Sequence, residues 1–327
     1  MVETASLPTV DMMGCGIDVE NIDEESMEPV GYDVYKAFST VGFVYLRNTG
    51  VSMRDVEETM KISKQFFDLS PDVKCKYVYD ENYSGYHKLY TEGTNVNRPK
   101  DIKEAYNVGG MALASGKGHW PDAEVEGFSD TMAKFYDICR RLTLRILELL
   151  AVGMKIKDKE YFIKCHSRIG KERNYTILRT LYYPPIPDDV KPGQIRLGEH
   201  SDYGTITLLF QDHIGGLEVE NLDGQYIPAN PIPGTVIVNI GDLLQFWTKG
   251  KLKSTKHRIR NPIDEEKRKS FRQSIVYFAN PNFEVKLSEI EYDGCPVIEN
   301  HTPVECEFDE NLTAVEYNER MLRNTYK

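Results

Sequence analysis

Two hydrophobic periods divide the chain near residue 170. Before that point apolar residues recur every three or four positions: Val34, Ala37, Phe38 and Val41 in one stretch, then Val56, Met60, Ile62, Phe66 and Phe67 in a second. The longest such run, 127–154, carries Phe135, Ile138, Leu142, Ile146, Leu149 and Leu150 on one stripe. That spacing predicts amphipathic helices buried on one side. From about 175 the pattern changes to short β-branched or aromatic runs separated by turn residues: TILRTLYY, TITLLF, LEVE, GQYIP, TVIVNI and RQSIVYF. Runs of that length and regularity predict an antiparallel sandwich or barrel. Residues 311–325 return to helical spacing. Between the first helices lies a Gly- and Tyr-rich segment, 80–120, with neither period. It reads as a long surface loop and a candidate lid, with Tyr83, Tyr86 and Tyr90 giving it something to pack. The predicted organisation is an α+β chain: a helical cap over 1–170 and an all-β part over 171–327 that ends in a helix. Strands and helices do not alternate, and neither a dinucleotide-binding glycine fingerprint nor a P-loop occurs, which removes the two commonest nucleotide folds.

Composition narrows the class. The 327 residues are 40% hydrophobic and 28% charged, enough for a proper core and too apolar for disorder. Forty Lys and Arg against 51 Asp and Glu leave a net charge of -11, so a broad electrostatic grip on nucleic acid or an anionic membrane is not expected. A small-molecule substrate and a monomer or weak homo-oligomer are. Six cysteines are scattered without a CxxC pair, and the opening MVETASLPTVDMMGC has no basic stretch followed by an apolar one. Both features predict a cytoplasmic protein with reduced thiols.

The candidate chemistry begins at GEHSDYG. In a strand, residues two apart share a face, so His200 and Asp202 can share one ligand. His257, in the strand-like KSTKHRIR, adds a second imidazole. Two His and one carboxylate can hold Fe(II) on one face and leave three positions open, whereas zinc favours a closed tetrahedron. Taken singly, His257 reads equally well as a structural histidine. Arg272 and Ser274 in FRQSIVYF are again two apart, and a buried guanidinium beside a hydroxyl makes a carboxylate receptor. Alone, that Arg could be an exposed edge-strand residue. The Tyr183 phenol in LYYPPIP is a further donor. Around His257 the run KGKLKSTKHRIR carries six cations, readable as a local positive potential or as a solvated hairpin face.

Taken together, these motifs resemble the iron(II)- and 2-oxoglutarate-dependent dioxygenases of the isopenicillin N synthase-like superfamily. The likeness runs through HSD at 200–202, GGLEV at 215–219, NIGD at 239–242, STKHR at 254–258 and RQS at 272–274. In the first half it includes GFVYLRNTG at 42–50, SGY at 84–86 and DIKEAY at 101–106. The resemblance implies a double-stranded β-helix, or jelly roll, with a helical N-terminal cap. It implies iron on His200, Asp202 and His257, and 2-oxoglutarate held by Arg272 and Ser274 with help from Tyr183. The implied cofactors are Fe(II), 2-oxoglutarate and O2, with ascorbate as a stimulant. The implied reaction hydroxylates, desaturates or cyclises a small organic molecule with release of succinate and CO2. Two positions depart from the pattern: Leu181 stands where many members have Asn, and Thr49 where many have His. Substrate contacts are expected from Tyr86, Tyr90, Arg98, Tyr203, Phe246 and Phe278. Two other readings stay open: a 2-oxoglutarate-independent oxidase of the isopenicillin N synthase or aminocyclopropane-carboxylate oxidase type, and a jelly-roll binding protein with a lapsed metal site.

Overall fold

Alternating side chains sort the β-branched runs into two sheets that share one core. The computed structural model describes residues 6–80, 83–93, 98–299, 303–304, 309 and 311–325. Among them the strands are β1 (Thr9–Asp11), β2 (Phe43–Arg47), β3 (Gly85–His87), β4 (Glu104–Gly109), β5 (Ile177–Tyr183) and β6 (Leu197–His200), followed by β7 (Ile206–Gln211), β8 (Leu217–Glu220), β9 (Tyr226–Pro228), β10 (Thr235–Ile240), β11 (His257–Ile259) and β12 (Arg272–Phe278). Eight form a sheet in the order β1-β2-β10-β7-β12-β5-β4-β3, and four form a second in the order β6-β11-β8-β9. Among the described strands only β1 with β2 is a parallel pair.

Strand parity gives the large sheet two different faces. Val44, Leu46, Tyr106, Leu178, Leu208, Phe210, Val238, Ile275 and Tyr277 point to one side, where they join Phe38, Phe66, Phe135, Leu142 and Leu149 of the helices Glu24–Thr40, Met53–Phe67 and Phe128–Gly153. Phe43, Tyr45, Ala105, Leu181, Tyr183, Leu209, Ile237 and Val276 point to the other, where they meet Leu217, Val219 and Ile259 of the small sheet. The architecture is thus a jelly roll with helices on the outer face of its larger sheet. The helices begin where local chemistry allows: Asp23 caps Glu24–Thr40 by accepting from the Ser26 amide at 2.8 Å. Gly31 and Gly153 let two of them cross closely, because a Cβ on Gly153 would lie 2.0 Å from the Gly31 carbonyl oxygen.

Two sequence expectations change here. The N-terminal half is not only helical, since β1 to β4 belong to the same sheet as the C-terminal strands. Nor is 80–120 all surface loop: every residue of β4 is buried. Its run EAYNVG carries two buried polar side chains, Glu104, which accepts from Lys74 and Tyr86, and Asn107, and these hide the strand from a hydrophobic-period reading. Parts of the proposed lid, 81–82 and 94–97, lie outside the described residues, as does Cys306.

Candidate active site

His200 ends β6 and His257 begins β11, and the two are register partners across the small sheet. Their rings lie 4.2 Å apart between centroids. Asp202, in the turn after β6, places Oδ1 3.7 Å from His200 Nε2 and 3.8 Å from His257 Nε2. One ligand atom from each of the three residues lies within 4.8 Å of the others. The remaining polar atoms are engaged in ways that leave those three free. His200 Nδ1 is 2.9 Å from the Gly198 carbonyl and His257 Nδ1 3.2 Å from the Thr255 carbonyl, so each Nδ1–H donates and each Nε2 keeps its lone pair. Asp202 Oδ2 accepts from Thr207 Oγ at 2.7 Å and Asn239 Nδ2 at 2.8 Å, leaving Oδ1. Burial and the adjacent His257 hold the His200 imidazole down to about 4. Burial pushes the Asp202 carboxyl up, but His257, His200 and its two hydrogen bonds outweigh that and keep it below its usual range. Two imidazoles and one carboxylate, each offering one ligand atom to a common point, are a donor set that suits Fe(II).

The NIGD motif explains how the Asp202 turn is fixed. The amides of Gly241, Asp242 and Leu243 donate to the carbonyls of Thr205, Asp202 and Tyr203 at 2.9, 2.7 and 3.1 Å. Gly241 is required there, because a Cβ would sit 2.2 Å from the Gly204 oxygen. Phe43 packs edge-on to His257 with 5.2 Å between ring centroids.

The register of the large sheet lays out the rest of its inner face in rungs. Asn239, Thr207, Phe278 and Ile177 are successive partners on the rung that holds Asp202. Leu209, Val276, Arg179 and Asn107 form the next, then Gln211, Ser274, Leu181, Ala105 and His87, and finally Arg272 with Tyr183. Arg272 is 0% exposed. Its Nε donates to the Gly215 carbonyl at 2.9 Å, Nη1 to Ser274 Oγ at 3.2 Å and Nη2 to Gln211 Oε1 at 3.2 Å. The guanidinium lies 4.8 Å from the Tyr183 ring centroid. Leu181, the departure from Asn, is the partner of Ser274 and fills apolar space beside it. The arrangement is a metal-binding end and a cationic end joined by a short apolar stretch.

Residues 174–281 match the model of the 2OG-Fe(II) oxygenase superfamily, and residues 7–123 that of the non-haem dioxygenase in morphine synthesis N-terminal region. Over 316 residues the chain is 31% identical to the 2-oxoglutarate-dependent dioxygenase htyE of Aspergillus rugulosus, covering 90% of this chain and 92% of that one. The chain belongs to the 2OG-Fe(II) oxygenase superfamily. The oxygenase is also 31% identical to the proline hydroxylase buaE of Petromyces alliaceus, over 90% of this chain and 92% of that one. A full-length Neurospora crassa protein crystallised with alpha-KG superposes with a TM-score of 0.81 at 34% identity, covering 99% of this chain and 98% of that one. The same Neurospora protein with alpha-KG and thymine gives 0.82 at 32%, covering 100% and 99%. The oxygenase is a non-haem Fe(II)- and 2-oxoglutarate-dependent dioxygenase of a small organic molecule, and the cosubstrate-independent oxidase reading is not favoured.

The residues expected at the substrate separate into two groups. Phe278 lies on the Asp202 rung, Tyr203 follows Asp202, and Phe246 sits on the helix Asp242–Trp247 against Tyr317 of the terminal helix, 5.0 Å between centroids. Tyr86 does not face the site. Its parity on β3 turns it to the helix side, where its hydroxyl donates to Glu104 at 2.5 Å and its ring packs on Phe66. Tyr90 is exposed in the turn after β3, and Arg98 is exposed and ion-paired with Glu199. Three of the six cations of 249–260 are ion-paired: Arg258 with Glu218 and Glu199, Arg260 with Glu218, Lys249 with Glu289. No helix among the described residues is long and apolar enough to cross a membrane.

A polar group on the inner face went unnoticed in the sequence. Arg179 and Asn107 are register partners one rung from Asp202's, and His87 lies on the next rung. Arg179 Nη2 and Lys103 Nζ both donate to Glu92 Oε2, and His87 Nδ1 is 3.5 Å from Glu92 Oε1. Burial pushes the Glu92 carboxyl up, but Arg179 and Lys103 overcome it and hold the carboxyl well below its usual range. Arg179 Nε, Asn107 Oδ1 and His87 Nε2 are buried with no hydrogen-bond partner among the described residues. The signal was present: in TILRTLYY, Arg179 shares parity with Leu181 and Tyr183, an inward position for a charge.

Proposed function

We propose that this dioxygenase oxidises a small, neutral, hydrogen-bonding molecule held against Arg179, Asn107 and His87, with a pyrimidine base as the first candidate. One observation carries the reading: three buried polar atoms without partners lie on the inner face beside the metal end, in a cluster whose Arg is already neutralised by Glu92. A free guanidinium would call for a carboxylate substrate. A guanidinium paired on one side and open at Nε calls for a neutral acceptor, and Asn107 Oδ1 for a donor. The thymine complex of the Neurospora relative supports the choice of a planar base with both.

In this reading His200, Asp202 and His257 hold the iron, and Arg272 and Ser274, with Tyr183 packed on the guanidinium, anchor the far carboxylate of 2-oxoglutarate. Bound Fe(II) activates O2 and couples decarboxylation of 2-oxoglutarate, to succinate and CO2, to oxidation of a substrate C–H bond. The chain's own residues prepare that chemistry. Thr207 and Asn239 keep Asp202 oriented with Oδ1 forward, and the Gly198 and Thr255 carbonyls fix the imidazole tautomers. Phe278 and Tyr203 bound the substrate side as aromatic walls, and Phe246 links that side to the terminal helix. The cap over 1–170 and the core over 171–327 act as one body because they share a sheet. The net charge of -11 supports a small substrate over nucleic acid and a monomer or weak homo-oligomer over a larger assembly. The free cysteines, five among the described residues, support a cytoplasmic setting.

The test is succinate formation by anaerobically Fe(II)-loaded protein on admission of O2, with thymine, uracil, L-proline and small organic acids in parallel. Stimulation by a pyrimidine, lost in Arg179→Gln while substrate-free decarboxylation persists, is the expected result. Stimulation by proline or an organic acid alone would overturn the neutral-substrate reading.

A further inference from the structure

A second buried arginine reaches the backbone two residues before Arg272. Arg196 immediately precedes β6 and is 0% exposed. A buried guanidinium normally has most of its five N–H groups engaged. Arg196 has one such contact, Nη2 to the Ser270 carbonyl at 2.9 Å, while Nε and Nη1 have no partner among the described residues. Burial and then the Arg272 charge push its pKa down to about 10, opposed by Tyr183 and Asp212. Two guanidiniums that repel one another in a buried place are tolerated when an anion joins them. Asp212 does not join them: among the described residues it makes no ion pair with either guanidinium, and its oxygens accept from the Gln273 and Ile214 amides at 2.5 and 3.0 Å.

We infer that Arg196 is a second cation of the cosubstrate site, and that its free Nε and Nη1 donors serve the distal carboxylate of 2-oxoglutarate together with Arg272. The count of donors and acceptors fits. Three Arg272 nitrogens each already give one hydrogen to the protein, which leaves that residue two N–H groups, and a carboxylate offers about four acceptor sites. Those two N–H groups and the Ser274 hydroxyl make three donors for about four acceptor sites, and Arg196 supplies the rest. The consequence is specificity: a paired cationic end discriminates against a 2-oxo acid without the second carboxylate more strongly than a single Arg does.

This rests on Arg272 as the anchor, so both residues are tested together. Binding of 2-oxoglutarate and of 2-oxovalerate, the same chain length without the second carboxylate, is measured by calorimetry on anaerobic Fe(II)-loaded full-length protein. In Arg196→Met the ratio of the two Kd values should fall about tenfold or more, through weaker 2-oxoglutarate binding with 2-oxovalerate unchanged. A ratio that stays the same, or a parallel loss of both ligands, would overturn the inference. If the Met variant does not fold, Arg196→Lys decides: a ratio lowered about threefold or more supports the role, because the fork is lost while the charge remains, and an unchanged ratio removes it. Arg272→Met separates the premise. If its ratio is unchanged the anchor itself is misplaced; if it collapses while both Arg196 variants keep theirs, only the second-cation role falls.

Discussion

The two faces of the eight-stranded sheet are built from the same strands and could hardly differ more in chemistry. On β12, Ile275 and Tyr277 enter the helix-side core, while Arg272, Ser274, Val276 and Phe278 enter the jelly roll. On β5 the same alternation separates Leu178 from Arg179 and Tyr183. The helix side is mostly apolar packing, with the Lys74–Glu104–Tyr86 group as a buried polar island. The inner side is a ladder in which polar rungs flank one apolar stretch. A strand gives each neighbour the opposite environment, so one backbone can be scaffold and site at once, and burial alone does not tell which. Arg272 and Tyr277 are equally buried, one with three nitrogens hydrogen-bonded to the protein and the other packed edge-on to Tyr136.

The contrast can be broken by substitutions on either face. The largest effect belongs to the inner side: Asp202→Ala should abolish Fe(II) binding and substrate-dependent succinate formation, a loss of at least about a hundredfold, with little change in Tm. Titration with Fe(II) and thermal melts check both halves; a large fall in Tm would mean that Asp202 also holds the fold. Next in size is a pH effect on the helix side. His166 is buried, with Nδ1 2.7 Å from the Phe162 carbonyl and Nε2 3.0 Å from Thr205 Oγ, and burial holds it down to about 4. Its proton is therefore taken up on unfolding, so the stability it permits is complete above its unfolded value near 6.5 and is lost as pH falls toward 4. By pH 5 the loss should be about 2 kcal/mol. Urea midpoints of the wild type and His166→Gln between pH 7.5 and 5 check this, with a flatter profile expected in the variant.

Tyr86 sharpens the comparison because the sequence placed it with the substrate. Tyr86→Phe removes a buried hydrogen bond to Glu104 and should cost about 1–3 kcal/mol of stability while leaving the KM for substrate unchanged. A raised KM with unchanged stability would return Tyr86 to the pocket. The smallest effect is expected outside both faces: Arg98→Gln breaks an exposed pair with Glu199 and should change stability by less than about 1 kcal/mol. A marked change in turnover would show that the pair holds the loop over the site.

The sequence by itself determined much of this protein. The change of period near 170, the strand runs after it, and the spacing of His200, Asp202, His257, Arg272 and Ser274 are local features, legible because a metal or a carboxylate needs given residue types at strand parity. The resemblance then ordered them. Only the tertiary structure decided which rung each residue occupies and who neutralises whom. β4 was hidden because Glu104 and Asn107 find their surroundings across the sheet rather than along the chain. Tyr86 and Phe278 are both aromatic strand residues, and only registration against Tyr106 and Thr207 sends one to the helices and the other to the metal end. Arg179 meets Glu92 across a separation of 87 residues, and Arg196 meets the Ser270 carbonyl across 74. Charge pairing at that range depends on the closed fold, since Coulomb interaction and desolvation follow distance in space and not position in sequence.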